Sequence, residues 1–458
     1  MNTRRKVNGG NGLKDLRILV LPVAAVVLVL LALVAPSSSE PARHPSRVTV
    51  TEASYACPAN SVATISAGQV RAGTDATARV FPGGKQDAKL EDAARWRTSA
   101  VDGSGVVVQQ RGRGSGPVGF YAGMAPKSGG GGLVVGSCPG VVDDAWLLGV
   151  GSGAKHFSTL TLTNLADTPA AVDVSLWGPK GKIDAVGSEG IVVKPSSVRR
   201  IRLDELAAGE AELAMHVHRR RGSLSAIVND NSSAVFSGTE SVSATLSPRR
   251  SQVLGGLVHG AQGRTLMVVN PGQTTARVTV KVIGAKNTFT PSGLDQIKVR
   301  AGTTRSISVP RSAGSDAQAL RLTSDQPISA TVRMAPGAKD YAYAEAVPAL
   351  SGPAIVPVDV GPKLDAPRLI MTAPDGAATV GVQAFDSSMR PLASSTLKVK
   401  AGTTTWARLE TSGAAYFVVT PHGKVVGAAT YVKGDGISSL ALTPAPVTVL
   451  SPQVRPIS

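Results

Sequence analysis

Aromatic residues make up 4% of this 458-residue chain and charged residues 17%, and cysteine occurs only twice. Such a composition, rich instead in Gly, Ala, Val, Ser and Thr, suits many short strands and tight turns better than long helices. The chain has one long apolar run, at residues 18–35, and no second one, so it offers one membrane anchor and one large body beyond it. That run does not end in a cysteine, which argues against a lipid-linked anchor. Nucleophile signatures are also missing. No G-x-S-x-G elbow or S-x-x-K motif sits in a convincing context, and neither cysteine lies near a histidine partner. The glycine-rich stretch "GSGVVVQQRGRGSG" (Gly103–Gly116) lacks the lysine and the strand-to-helix setting of a phosphate loop. An enzyme is not expected, and no cofactor or small-molecule substrate is implied.

The apolar run, "ILVLPVAAVVLVLLALVA", follows Arg4, Arg5, Lys6, Lys14 and Arg17 against the single acid Asp15. Basic residues before a run of spanning length predict a single-pass plasma-membrane anchor, with residues 1–17 cytoplasmic and everything after a linker at 36–46 exported. The competing reading is a cleaved signal peptide and a secreted product, for which "VAPSSS" offers a weak cleavage site. Export makes Cys57 and Cys138 most simply a disulfide, with two unpaired thiols as the alternative.

Beyond residue 35 there are 43 basic and 30 acidic residues, an excess of 13 that favours anionic partners such as envelope polymers. Nucleic acid fits poorly, because no basic stripe is interleaved with aromatics. The two densest basic spots are Arg111 and Arg113 in "RGRG" and Arg219, Arg220 and Arg221 in "RRRG". Arginine in such loops can fork onto phosphate or carboxylate groups, although turn charges also simply solubilise.

One stretch returns almost unchanged: "VRAGTTRSISV" (Val299–Val309) and "VKAGTTTWARL" (Val399–Leu409). It belongs to a longer pattern occurring three times, with a more distant relative, "VVKPSSVRRIRL", from Val192. Pro195, Gly302 and Gly402 would each mark a tight reversal. Before each lies a stretch that reads as a hairpin: Leu160–Gly178, Leu266–Gly284 and Leu369–Asp386. In these, Val172, Val174 and Leu176, then Val278, Val280 and Val282, then Val380 and Val382 alternate inward with the period of a half-buried strand. A second hairpin closes each unit, at Ala211–Asp230, Gln318–Met334 and Ala414–Val432.

About seven short strands per hundred residues predict an all-β chain of three to four tandem antiparallel β-sandwich domains behind one transmembrane helix. The expected units are 137–250, 251–350 and 351–458, preceded by a diverged unit at 47–136 whose interior could hold a short helix or loop. Joined end to end, they would make a semi-rigid rod extending from the membrane.

The anchor, the "CP" at Cys57, "SCPGVVDDAWLLGVGSG" from Ser137 and "LTLTNLADTPAAVDVSLWGPKG" from Leu160 together resemble an actinobacterial family of uncharacterised, membrane-anchored exported proteins. Elements such as "LTSDQPISATVRM" also look like bacterial immunoglobulin-like stalk modules. The resemblance implies a place near envelope glycan synthesis and transfers no functional residue.

His216 and His218 in "HVH" would share one strand face, but two ligands need a third to hold a metal, and sequence spacing supplies none. The three arginines that follow would repel a cation, so a solvated strand face is the expectation and no metal site is assigned. Asp143 and Asp144 read as a loop, since adjacent acids on an extended chain point opposite ways. The function this supports is a membrane-tethered, non-enzymatic scaffold or interaction protein of the cell envelope. A direct binder of anionic wall polymers is the alternative, and a hydrolase centred in the leading unit a distant third.

Overall fold

The structure is a computed structural model. It describes residues 46–450 apart from 59–62, 74–75, 82–86, 90–94, 100–104, 127–130, 235, 259–262, 311–317, 338, 359–360 and 362–363. The tail and apolar run expected at 1–35, most of the linker, and residues 451–458 lie outside the described residues. Among the described residues no helix is long and apolar enough to cross a membrane. They are all-β, with one 3₁₀ turn at Leu203–Glu205. Residues 49–449 form one compact unit.

A single eight-strand plan recurs four times along the chain. The fourth module shows it most plainly, with strands Ala354–Pro357, Arg368–Ala373, Ala378–Phe385, Pro391–Val399, Thr403–Arg408, Tyr416–His422, Val426–Lys433 and Gly436–Ala441. One of its sheets has the order first, sixth, third, fourth; the other has fifth, second, seventh, eighth. The first module (Glu52–Ser137) repeats both orders strand for strand, including Asp87–Lys89 and Arg95–Ser99 within the stretch where the sequence left room for a helix. In the second module (Asp144–Val242) and the third (Arg249–Glu345) the fourth strand is split in two. In the third, the sixth and seventh strands run together as Gln318–Ala335.

Each core lies between the two sheets of a module. In the third module Val278, Val280 and Val282 of one sheet join Leu266, Val268 and Val332 of the other in one buried cluster. Burying each such side chain stabilises by roughly 1.5–3 kcal/mol, which small modules with few aromatics need from many positions at once.

The expected hairpins are not hairpins. His156–Asn164 and Ala170–Gly178 belong to different sheets, as do Leu213–Arg221 and Leu224–Ser233, so the connecting turns are corners between layers. Period-two alternation is identical for a strand paired with its neighbour and for one that crosses to the opposite sheet, which is why the pattern misled. The Asn164 side chain pins the first corner: its Oδ1 accepts from the Ala166 N–H and its Nδ2 lies close to the Thr168 carbonyl at 2.7 Å and the Lys194 carbonyl at 3.0 Å. Asn270 repeats this in the third module.

The repeated "AGTT" stretch is another corner. Gly302 and Gly402 have φ of 64° and 67°, the left-handed conformation for which glycine is chosen. Register places Val193, Val299 and Val399 as equivalents, so the matching residue in the second module is Ser196 (φ 45°), one position after Pro195. In all three corners the following hydroxyl donates back across the turn, Ser197 to Lys194, Thr303 to Arg300 and Thr403 to Lys400.

The rod is also replaced. The last strands of the four modules, Leu133–Ser137, Ser237–Val242, Ala342–Glu345 and Gly436–Ala441, lie against one another. Val118, Phe120 and Val135 of the first module share a buried cluster with Tyr431 and Leu440 of the fourth. The modules close on themselves because these edge strands carry apolar side chains that gain by leaving water, and the polar groups buried with them find partners across the junction.

Candidate functional site

Where the four edges meet, polar side chains are buried together. The Asp340 carboxylate accepts from the N–H groups of Leu133 (2.9 Å), Ile437 (2.7 Å) and Tyr341 (2.9 Å), which joins the first, fourth and third modules. The Ser438 hydroxyl lies 2.8 Å from Glu240 and accepts from the Val135 N–H at 3.0 Å. Glu345 accepts from the Ser243 N–H. Burial pushes Asp340 and Glu345 each up to about 7 and raises Glu240 well above the usual carboxyl range, with Asp340 and Glu345 as neighbouring charges adding to the rise.

At the contact of the second and third modules, buried Asp230 receives His156 Nε2 (2.9 Å), the Ser158 hydroxyl and the Tyr341 hydroxyl (2.8 Å). The Tyr343 hydroxyl lies 2.9 Å from the same carboxylate and 2.8 Å from the Gly149 carbonyl. These carboxyls converge, yet the cavity beside Tyr121 and Glu345 measures about 60 Å³. That volume suits a few waters and falls well short of the ~300 Å³ at which ligand pockets begin. The cluster is a clasp between modules, and on its outer side Asp340 also lines wider cavities of about 540 and 440 Å³.

A different arrangement occupies an outer sheet face of the second module. Register sets Asp144 opposite His218 and Trp146 opposite His216, while Asp173 faces His218 from the other side. Buried Ala145, Leu147 and Val217 on the inner face fix that register. Asp144 Oδ1 lies 2.7 Å from His216 Nε2 and 3.0 Å from His218 Nδ1. Burial raises the Asp144 carboxyl, but its bonds to His218 and His216 outweigh this and hold it below its ordinary value. Burial lowers the His216 imidazole more than Asp144 raises it. The His216 ring stacks on Trp146 at 4.4 Å, and Trp146 on Trp177 at 5.1 Å. Both tryptophans are covered by Met267 and Val269 of the third module.

The arginines named from sequence are dispersed in role. Arg219 pairs with Asp143 and donates to the Gly222 carbonyl, and Arg220 pairs with Asp173. Arg111, Arg113 and Arg221 are exposed. Sequence reading did not find the cleft of about 720 Å³ between the second and third modules, lined by Lys298, Arg300, Arg305, Glu210 and Glu212. Lys298, Arg300 and Arg305 fall in or beside the repeated "VRAGTTRSISV" stretch, but Glu210 and Glu212 face them from the second module, so the cleft itself follows from tertiary packing. Cys57 and Cys138 are disulfide-bonded, closing the first module.

One edge is open. In the fourth module the fourth strand, Pro391–Val399, is nine residues long and largely exposed, with a bulge at Leu392. Among the described residues it pairs on one side only, with Ala378–Phe385. Its counterparts in the other modules are short or split.

Comparison with known proteins is decided by one match, Family of unknown function (DUF5719), over residues 97–410. The chain belongs to that family. The DUF5719 match begins inside the first module and ends inside the fourth, after Thr403–Arg408. It therefore includes Asp144, His216, His218 and the clasp residues Glu240, Asp340 and Glu345, but stops short of Ser438. No curated protein matches the chain.

Proposed function

We propose that this DUF5719 chain is a non-enzymatic scaffold or interaction protein of the cell envelope, tethered by residues 18–35, with residues 1–17 in the cytoplasm and the large part that follows outside it. Its four modules are read as β-sandwiches of immunoglobulin-like kind, locked into one platform that supports glycan or wall assembly through another exported or membrane protein. The observation that carries this reading is the open strand Pro391–Val399. Unpaired backbone groups along a long, exposed edge are a template for a partner's strand, and proteins usually blunt such edges. Here the edge is long where its counterparts in the sister modules are short or split, and Pro391, a bulge at Leu392 and Lys398 blunt it only towards its ends.

The test is photo-crosslinking in native membranes from a reactive residue placed at Ser395. A discrete envelope protein captured from that edge, and not from the exposed Val186 in the second module, supports the proposal. Equal capture from both positions, or recovery of the protein in the cytosol, overturns it.

The alternative, direct binding of anionic wall polymer, is favoured by the cleft with Lys298, Arg300 and Arg305. It predicts retention on wall polymer at low salt and release at high salt, lost on changing those three residues to Ser, because Coulomb attraction is screened. The already paired Arg219 and Arg220 would contribute less than the cleft.

A further inference from the structure

The outer face carrying Asp144, His216 and His218 holds three potential ligands that neither the scaffold reading nor the DUF5719 match explains. One atom of each lies within 4.8 Å of the others. We infer that Asp144, His216 and His218 form a binding site for a divalent transition-metal ion, with Zn²⁺ or Cu²⁺ as the chemical fit.

The backbone already performs most of the assembly. Two histidines two residues apart on one strand project to the same face, and the neighbouring strand sets a carboxylate directly opposite one of them. Asp144 Oδ1, His216 Nε2 and His218 Nδ1 converge at 2.7 and 3.0 Å. Metal bonds of about 2.0–2.2 Å in a tetrahedral shell place ligand atoms roughly 3.4 Å apart. Each contact therefore opens by about half an ångström, which side-chain rotation supplies without moving the strands. Imidazole nitrogens with a single carboxylate suit borderline ions such as Zn²⁺ and Cu²⁺ better than Ca²⁺ or Mg²⁺. His218 and Asp144 are 52% and 47% exposed, so solvent can complete the shell and an ion can enter.

The objection from sequence is the arginine run. Asp143 and Asp173 answer it by pairing with Arg219 and Arg220, and Asp173 also stands beside His218 in the register. Trp146 holds the His216 ring flat, with an interplanar angle of 15°. Such support of a ligand ring favours binding, since less rotamer freedom is lost.

The same stacking supplies the readout. Full-length, untagged, metal-free protein is titrated with Cu²⁺ while tryptophan emission is followed, and Zn²⁺ uptake is measured by equilibrium dialysis. Two of the four tryptophans, Trp146 and Trp177, belong to the stack beside His216. The expected result is saturable quenching at one equivalent, competed by excess Zn²⁺. Asp144→Asn and His218→Ala each weaken both signals at least tenfold, with an unchanged melting midpoint, whereas His422→Ala changes neither. Absence of a saturable equivalent in the natural protein overturns the inference. So does undiminished binding by the Asp144→Asn and His218→Ala proteins.

Discussion

Ser438 of the fourth module and Glu240 of the second stand 2.8 Å apart across 198 residues of sequence. The same hydroxyl receives the Val135 N–H of the first module, so one small side chain ties three modules. Replacing it leaves Glu240 Oε2 and the buried Val135 N–H without this partner, while Glu240 Oε1 still accepts from the Ser241 N–H.

Ser438→Ala is accordingly expected to destabilise the protein by about 1–3 kcal/mol, the cost of orphaned buried polar groups. Urea denaturation measures it. A change within error of zero would show that the clasp is not closed in solution.

Stability should fall as pH rises from about 4 to beyond 7. Asp340 and Glu345 are pushed up to about 7, and Glu240 rises too, so in this window the folded chain keeps protons that the unfolded chain has released. His156 acts in the same direction. Burial lowers its imidazole, Asp230 more than reverses this, and stability from a raised histidine is lost as pH climbs through its folded value. A tenfold difference in proton affinity between the folded and unfolded chain is worth about 1.4 kcal/mol at most. Denaturation midpoints that stay level or climb between pH 5 and 8 would contradict this.

Asp340→Asn tests the same junction from another side. An amide can accept from some of the three N–H groups, but its own N–H₂ must face at least one of them. A loss of about 1–3 kcal/mol is expected, the cost of leaving a buried polar group unpaired. The pH slope should also flatten, because one titrating group is gone.

Gly149 has a φ of 91°, and a Cβ there would sit 2.6 Å from Tyr343 Cε1. Gly149→Ala therefore combines backbone strain with overpacking against a fully buried ring, at an expected cost of about 2–4 kcal/mol. Gly187→Ala, at φ 76° with open space around it, should cost only the strain. Equal melting points for the two variants would remove the Tyr343 contact from the account.

Reducing the bond between Cys57 and Cys138, which closes a sequence separation of 81, should destabilise by roughly 4–5 kcal/mol in the chain-entropy picture. Melting with and without reductant measures the difference.

Local features were legible where the chain signals them locally. The alternation of Val278, Val280 and Val282 marks the buried face, and Gly302 and Gly402 mark the turn. The two cysteines form the bond expected of them. The equivalence of Pro195 fails by one residue, because Ser196 adopts the left-handed conformation at that corner. Asp144 reads as loop filler in the sequence, since its partners lie 72 and 74 residues away on a strand whose register no local pattern discloses.

By itself, then, the chain determined that its described part is built of strands, that units repeat, and which side chains face inward, because these follow from period-two alternation and turn chemistry between near neighbours. Tertiary structure alone decided that successive strands cross between sheets and that the modules close on a clasp. It alone set Asp144 beside His216 and His218. Such contacts join residues far apart in sequence, and their geometry depends on strand register and edge matching that no short stretch encodes.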